Sequence, residues 1–347
     1  MLSMEPGISR TEIAARMGLV KMTVSNIISE MLHSKMICES RTSAHEKQGA
    51  GRKLTGLCFS DAAPAAAGLW LEGDRLHAGI FSMELKLLQQ FTCQIDPASV
   101  VRSMADAVSS LAQSSGRTLL GIGLALDSGW DLSLQSSLSE KTGLPVFAAA
   151  DAAADTAVIS HCADYERFIG LNLSSSDALP TADGGLRAGI MVGGIPLGDP
   201  GGCVPFGQMT CRSGKLADLI SVPALCGRVC DLTGIECHTL ADVQDVCCNV
   251  PNGAEILHTL FDPLADAVFN LCLIAHPEAL ILGGGFNVFG QALQEHLFSR
   301  LHSRLGERTP AVTSFRLGSD TTFYGAACLV LEQVFAGALG YELFFQE

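Results

Sequence analysis

The chain has 347 residues, 48% of them hydrophobic, with a formal net charge of −14, which is ample apolar material for two or three cores. Residues 1–57 carry eight Lys/Arg against five Asp/Glu and the rest 14 against 31, so a basic head precedes a body of −17 that excludes nonspecific wrapping of nucleic acid. The 13 cysteines are odd in number and irregular in spacing, and the start, MLSMEP, is no signal peptide. A disulfide framework is thereby excluded in favour of buried thiols such as Cys58, Cys272 and Cys328 in a reducing cytoplasm, and no apolar run is long and charge-free enough to span a bilayer.

The stretch from Ile8 to Cys38 predicts two short helices around a tight turn. Ile13, Ala14 and Met17 share one face of the first, which Ser9 opens with Glu12 three residues on, a capping-box pattern. Gly18 stops it, because glycine tolerates the left-handed conformation that ends helices. The second helix runs roughly from Lys21 to Leu32 with Val24, Ile27, Ile28, Met31 and Leu32 as its apolar stripe. Its other face carries Lys21, Thr23, Ser25, Asn26 and Ser29. Short amides and hydroxyls suit base edges in a major groove, and a lysine meets phosphate or guanine. The pair therefore reads as a helix-turn-helix with Lys21 to Ser29 as recognition helix, against the plainer alternative of a helical hairpin with a solvated face. A polar run from Glu39 to Gln48, the glycines and bases Gly49 to Lys53 and an apolar strand from Leu54 to Phe59 suit a wing. Arg52 or Lys53 at its tip would enter a minor groove or lie along phosphate, unless the run is simply a basic linker.

From about Ala62 the texture changes. Ala66 to Leu71 and Leu76 to Ser82 predict a strand pair turning at Glu72-Gly73-Asp74, with a third strand from Leu85 to Cys93. Ser99 to Leu111 predicts a helix with Val100, Met104, Val108 and Leu111 on one face. Gly121 to Leu126 is a buried strand, Leu132 to Thr142 a helix and Pro145 to Ala149 a strand that delivers Asp151 to the next helix, Ala152 to Ile159. A second round follows: strands Phe168 to Leu173, Leu186 to Val192 and one from Ile195, then helices Leu216 to Val222, Ala224 to Thr233, Leu240 to Cys247 and Ala254 to Ala275. Leu280 to Leu282 is a strand ending in three glycines, Gln291 to Leu305 a helix, Thr313 to Leu317 a strand and Tyr324 to Phe335 a closing helix. Two such rounds predict an α/β body of two lobes with a ligand cleft between them.

At this point the sequence resembles the ROK family of repressors, open reading frames and sugar kinases, over nearly its whole length. GISRTEIAARMGLVKMTVSNII, Gly7 to Ile28, resembles the head of the family's repressors, G-x-S-R-x-E-L-A-x-x-x-G-L-S-x-x-T-V-S-x-I-V. Val20 stands where the capping serine is usual, a loss of about 1 kcal/mol. Only Met1 to Pro6 precedes the head, where the family's winged domains carry a further helix. GIGLALDSG (Gly121 to Gly129), LPVFAAADAAADTA (Leu144 to Ala157), the specific HPEALILGGGF (His276 to Phe286) and DTTFYGAACLVLE are similar to the family's body motifs in order. The resemblance implies a winged helix-turn-helix over 1–60 and an actin-like ATPase fold, with one α/β lobe over 61–157 plus 320–347 and a second over 158–319.

The family's chemistry is mostly replaced. Its D-x-G-G-T phosphate turn aligns with Trp70, Glu72, Gly73 and Asp74, whose acids oppose a polyanion. Its second phosphate loop gives way to Ser174 to Gly185. Of the trio that grips sugar, Asp151 alone remains beside Ala149 and Ala150; the resemblance makes it a vestigial general base, whereas the residue by itself equally suits a helix N-cap. At the zinc site Gln208 replaces the histidine, Lys215 the last cysteine and Ala217 a sugar-binding glutamate, leaving Cys211. Four ligands are needed, so no metal and no cofactor is expected there. Cys226, Cys230, Cys237 and His238 form a separate set whose C-x3-C thiols fall on one helix face that looks buried.

These readings lead to a DNA-binding regulator, a repressor by resemblance, acting as a homodimer or dimer of dimers on a double-stranded operator through Lys21, Thr23, Ser25, Asn26, Arg52 and Lys53. Half-sites would lie integral turns apart, about 10 base pairs each. The body would be non-catalytic, serving dimerisation and sensing a small effector in a cleft bearing Asp151 and Gln208. A sugar kinase, or a structural dimer that binds nothing, are the competing classes. Ala149, Ala150, Pro205, Gln208 and Ala217 offer little to a hexose. Each hydroxyl left unpaired costs about 1–3 kcal/mol, against only about 8 kcal/mol in a micromolar complex. Glucose, N-acetylglucosamine and xylose are therefore not expected to bind.

Overall fold

The computed structural model describes residues 7–40, 56–127, 130–163, 165–174, 183–198, 203–211, 214–315 and 317–336. The head comprises β1 (Ile8–Ser9), α1 (Arg10–Met17), α2 (Lys21–His33), β2 (Ile37–Ser40) and β3 (Gly56–Phe59). Its three strands form one sheet in the order β1-β3-β2, antiparallel throughout. Ile8, Ile13, Ala14, Val24, Ile28, Met36, Ile37 and Leu57 make its core. The expected stripes are narrower than the sequence suggested: Met17 and Ile27 are 55% and 48% exposed and lie outside that core. A head this small fills its interior with one or two residues per helix turn, so the flanking apolar positions stay outside. Cys58, expected to be a buried thiol, is only half-buried, because it points away from the face that Leu57 buries.

The first lobe follows: β4 (Ala65–Glu72), β5 (Arg75–Phe81), β6 (Leu87–Gln94), α3 (Val100–Ser115), β7 (Leu119–Leu126), α4 (Leu134–Thr142) and β8 (Val146–Ala150). The sheet order is β6-β5-β4-β7-β8, with the hairpin strands antiparallel and β4, β7 and β8 parallel. Every residue of β7 is buried, as expected of a central parallel strand covered on both faces. The four residues expected to line α3 are buried.

Helix α5 (Asp151–Cys162) leads into the second lobe, made of β9 (Arg167–Leu173), β10 (Leu186–Val192), β11 (Ile195–Leu197), the short pair β12 (Thr210–Cys211) and β13 (Gly214–Lys215), α6 (Ala217–Ile220), α7 (Val222–Thr233), α8 (Leu240–Asn249), α9 (Gly253–Ala275), β14 (Ala279–Gly284), α10 (Gly290–Leu305) and β15 (Ala311–Ser314). Its sheet, β11-β10-β9-β14-β15, repeats the first in order and in strand sense. The closing helix α11 (Thr321–Phe335) returns to the first lobe and packs on β4, β7 and α5. A Cβ at Gly325 would strike the backbone of Ala154, so α5 and α11 meet backbone to backbone. That explains the alanine run Ala152 to Ala154.

One expectation is corrected here. Helix α9 is, by length and composition, apolar enough to cross a membrane. The intervening acids Glu255, Asp262 and Asp266 masked this in the sequence. Half of its apolar window is buried against the second lobe's core, including Leu260, Phe261, Leu264 and Val268. It is long and apolar because it is the central helix of that lobe.

Candidate functional site

Chemistry-bearing side chains come together on the outer face of α2 and in the cleft between the lobes, where the sequence expectations fall. In the head, Ser9 accepts from Glu12 N–H at 3.2 Å while a Glu12 carboxylate oxygen accepts from Ser9 N–H at 2.9 Å, so the capping box is closed. Gly18 ends α1 at φ 63°, as a left-handed cap. Arg10 donates to Glu39 at 2.9 Å and ties α1 to the wing strand β2. With Val24 and Ile28 anchored in the core, Lys21, Thr23, Asn26 and Ser29 are exposed and Ser25 is half-buried. The Ser29 hydroxyl is spent on the Ser25 carbonyl at 2.7 Å. Val20 offers α2 no side-chain cap and is itself 71% exposed, next to Met22 at 73%. Arg52 and Lys53 lie outside the described residues.

In the cleft, β8 delivers Asp151 to the first turn of α5, where it is 4% exposed and accepts from its neighbour Ala152 N–H at 2.6 Å. It is the first helical residue and not the cap, which is Ala150. Across from it stands Arg187 on β10, its guanidinium 3.8 Å from Asp151 and 3.1 Å from Asp183. Asp183 accepts a second bond from Gly185 N–H at 3.1 Å. Close by, Asp127 at the end of β7 accepts from Ser174 at 2.7 Å and from Gly73 N–H at 3.3 Å. Deeper, Asp155 accepts from Asn172 at 2.6 Å and Thr322 at 2.7 Å. Burial pushes Asp151 up to about 8; Arg187 opposes this, and Asp127 and Asp155 add to it. Burial likewise raises Asp155 to about 6 against its two hydrogen bonds. Burial works against the Arg187 charge, but Asp151 and Asp183 outweigh it and hold the guanidinium charged.

What remains open is a cavity of about 140 Å³ lined by Leu126, Trp130, Ala150, Arg187, Cys203 and Pro205 among others. The turn aligned with a phosphate loop is the β4–β5 hairpin. Its Gly73 N–H, which would face a phosphate, is taken by the Asp127 carboxylate, and its Gly73 carbonyl accepts from Trp130 at 3.1 Å. Gln208 is exposed in a short 3₁₀ turn and does not line the cavity. The peptides around 205–209 fold on themselves, with Gln208 N–H donating to Pro205. Cys211 donates to the Gly214 carbonyl at 3.3 Å, and among the described residues no three His, Cys, Asp or Glu side chains converge as metal ligands. Cys226, Cys230, Cys237 and His238 do line one cavity, beside Val222 and Pro223 on the second lobe.

No protein-family model matches the chain, and no curated protein does. Solved structures do match. A ROK family transcriptional regulator, described as a homolog of the E. coli MLC protein, superposes with a TM-score of 0.77 at 18% identity, over 98% of this chain and 95% of the other. This chain shares that structure's fold. The ROK hexokinase of Thermus thermophilus matches at TM-score 0.64 and 21% identity, over 79% of this chain and 100% of its own. A ROK family glucokinase from Streptomyces griseus, in complex with glucose and AMPPNP, matches at 0.60 and 18%, over 76% and 98%. The actin-like α/β architecture is thereby established.

Within this body the cleft carboxylates Asp151 and Asp183 gather around Arg187. Arg187 is the only charge in LRAGIMV, a strand otherwise buried or apolar. A lone arginine inside a core strand is itself a signal that carboxylates face it. Ser174 and Asp183 lie within the segment that replaces the second phosphate loop, and Asp127 stands in the sequence only as a turn residue.

Proposed function

We propose that this chain is a DNA-binding transcriptional regulator, a repressor by its resemblance to the ROK repressors, whose ROK-like body has no catalytic role. The observation that carries the reading is the recognition face. Among the described residues, the Thr23 and Asn26 side chains are exposed without a hydrogen-bond partner, on a helix held by two core residues. Asn26 would pair with an adenine edge, Lys21 with phosphate or guanine, and Val20 and Met22 would meet thymine methyls. Arg52 and Lys53 in the wing would add groove or phosphate contacts. The two kinase structures leave about a fifth of this chain unmatched, whereas the regulator structure covers nearly all of it.

A kinase needs a free carboxylate base and free backbone amides for phosphate. Here Asp151 is buried, raised to about 8 and faced by Arg187, and Gly73 N–H is occupied by a carboxylate. The body therefore serves a homodimer or dimer of dimers, and its cleft takes at most a small effector that is not a simple hexose. Fluorescence anisotropy against fragments of the protein's own upstream region tests the DNA reading. Preference for one fragment over random DNA is expected; equal affinity for all refutes it. Sugar-phosphate formation in a coupled assay, or micromolar calorimetric binding of glucose, N-acetylglucosamine or xylose, refutes the reading of the body.

A further inference from the structure

The wing strands carry two thiols that the proposed function does not use. Cys38 on β2 and Cys58 on β3 are directly opposed in the ladder, and their sulfurs are 3.3 Å apart. Ser60 N–H donates to the Met36 carbonyl at 3.0 Å, two residues along from this pair. Alternation then puts Cys38 and Cys58 in hydrogen-bonded register, where opposed Cα atoms lie about 5.5 Å apart. That is the commonest separation for a disulfide, about 5.5–6 Å. Both side chains leave the sheet on the side away from the head's core, and Cys38 is exposed. Among the described cysteines the buried ones, Cys203, Cys272 and Cys328 among them, are closed to solvent oxidants.

We propose that Cys38 and Cys58 are a peroxide-responsive dithiol that closes into a disulfide across the base of the wing. Cys38, exposed, is the attacking thiol. Cys58 is pushed up to about 11, by burial first and then by its contact with Cys38 and the nearby Glu84 and Asp61, so it stays protonated until its turn. The Cys38 thiolate attacks one peroxide oxygen. The O–O bond breaks, hydroxide leaves and takes up the proton lost by Cys38, forming water, and Cys38 becomes a sulfenic acid. Cys58 then attacks the Cys38 sulfur. The S–S bond forms, the S–O bond breaks, and the departing hydroxide takes the Cys58 proton as a second water. Two thiols lose two electrons and the peroxide gains them. The sulfurs need move only from contact to about 2.05 Å.

The test treats the reduced full chain with about one equivalent of hydrogen peroxide, alkylates the remaining thiols and maps the peptides. The expected result is a Cys38–Cys58 cross-link as the dominant species, a mass loss of about 2 Da, and reversal by dithiothreitol. Cys58→Ser and Cys38→Ser should each abolish the cross-link. In denaturant it should fall to one pairing among many, since it is the fold that apposes the sulfurs. A cross-link absent from the folded protein, or no commoner there than other pairings, overturns the proposal. The consequence for DNA rests on the regulator reading: oxidised and reduced protein should differ at least about threefold in fragment affinity, roughly half the free energy of a tenfold change. Equal affinities would overturn that regulatory consequence while leaving the dithiol in place. Absence of fragment preference in the reduced protein would count against the regulator reading alone.

Discussion

The recognition face and the cleft are opposites in how they use polar groups. On α2, Thr23 and Asn26 face outward with their hydrogen-bonding capacity unspent. In the cleft, Asp127, Asp155 and Asp183 are engaged by side chains or amides of the same chain, and Arg187 stands against Asp151. A surface that keeps its donors and acceptors free is built for a partner. A buried cluster that satisfies itself has its partner already, and any ligand must first displace it. The same fold therefore carries one prepared site and one closed site, and the difference can be attacked from either side.

The largest effect should come from opening the closed site. Arg187→Met removes the cation between two buried carboxylates, and breaking a buried pair costs about 3–5 kcal/mol. Chemical denaturation should show a loss of that order; a loss below about 1 kcal/mol would mean that Arg187 is solvated and free to take a ligand. Next comes Asp151. Its folded value near 8 lies above the ordinary 3.8 of an aspartate, so between those values the folded protein keeps a proton that the unfolded chain releases. Stability must then fall as pH rises, by up to about 1.4 kcal/mol per unit. Asp155, raised to about 6, adds the same slope at lower pH, while His296, lowered by burial to about 4, opposes it below its ordinary 6.5. The clean window is therefore about pH 6.5 to 8. Stability measured there should decline in the wild type and stay flat in Asp151→Asn; parallel curves would remove Asp151 from the account.

On the prepared site, Asn26→Ala should cost about 1–3 kcal/mol of specific DNA affinity and relax base choice at one position, read by anisotropy against single-base variants of the preferred fragment. Unchanged discrimination would shift recognition to other side chains. The smallest effect is a gain. Val20→Ser restores a cap to α2, where none is present, and should stabilise the head by about 1 kcal/mol in thermal unfolding. No gain would show that the exposed valine already contributes through another contact.

The head was legible nearly to the residue because its signals are local. Ser9, Glu12 and Gly18 act over one helix turn, and the structure places each of them as the sequence implied. The repeated lobes were legible too, since buried strands such as GIGLAL announce themselves by composition. The cleft was not. Asp127 is distant in sequence from Ser174, Asp183 and Arg187, and it meets them only because β7 and β9 end at the edge where β10 begins. No spacing rule joins them. Gln208 failed for a related reason: alignment across a replaced loop fixed its position in sequence and not its direction in space. The apolar strength of α9 is veiled in the sequence because Glu255, Asp262 and Asp266 interrupt it.

The return of α11 to the first lobe bears on how the protein is made. That lobe's sheet is complete in the chain by Ala150, yet the face bearing Ala66, Phe81 and Leu120 is covered in large part by Phe323, Ala327, Val330 and Leu331 of α11, beside Ala157 and Val158 of α5. At a synthesis rate of roughly 5–20 residues per second, the ribosome leaves that apolar face without α11 for about ten to forty seconds while the second lobe is translated. The head's described core residues, by contrast, have all been translated by Leu57. The nascent chain thus presents the head's core residues ahead of a half-built body, and the last described helix to emerge is the one that completes the cover of its first sheet.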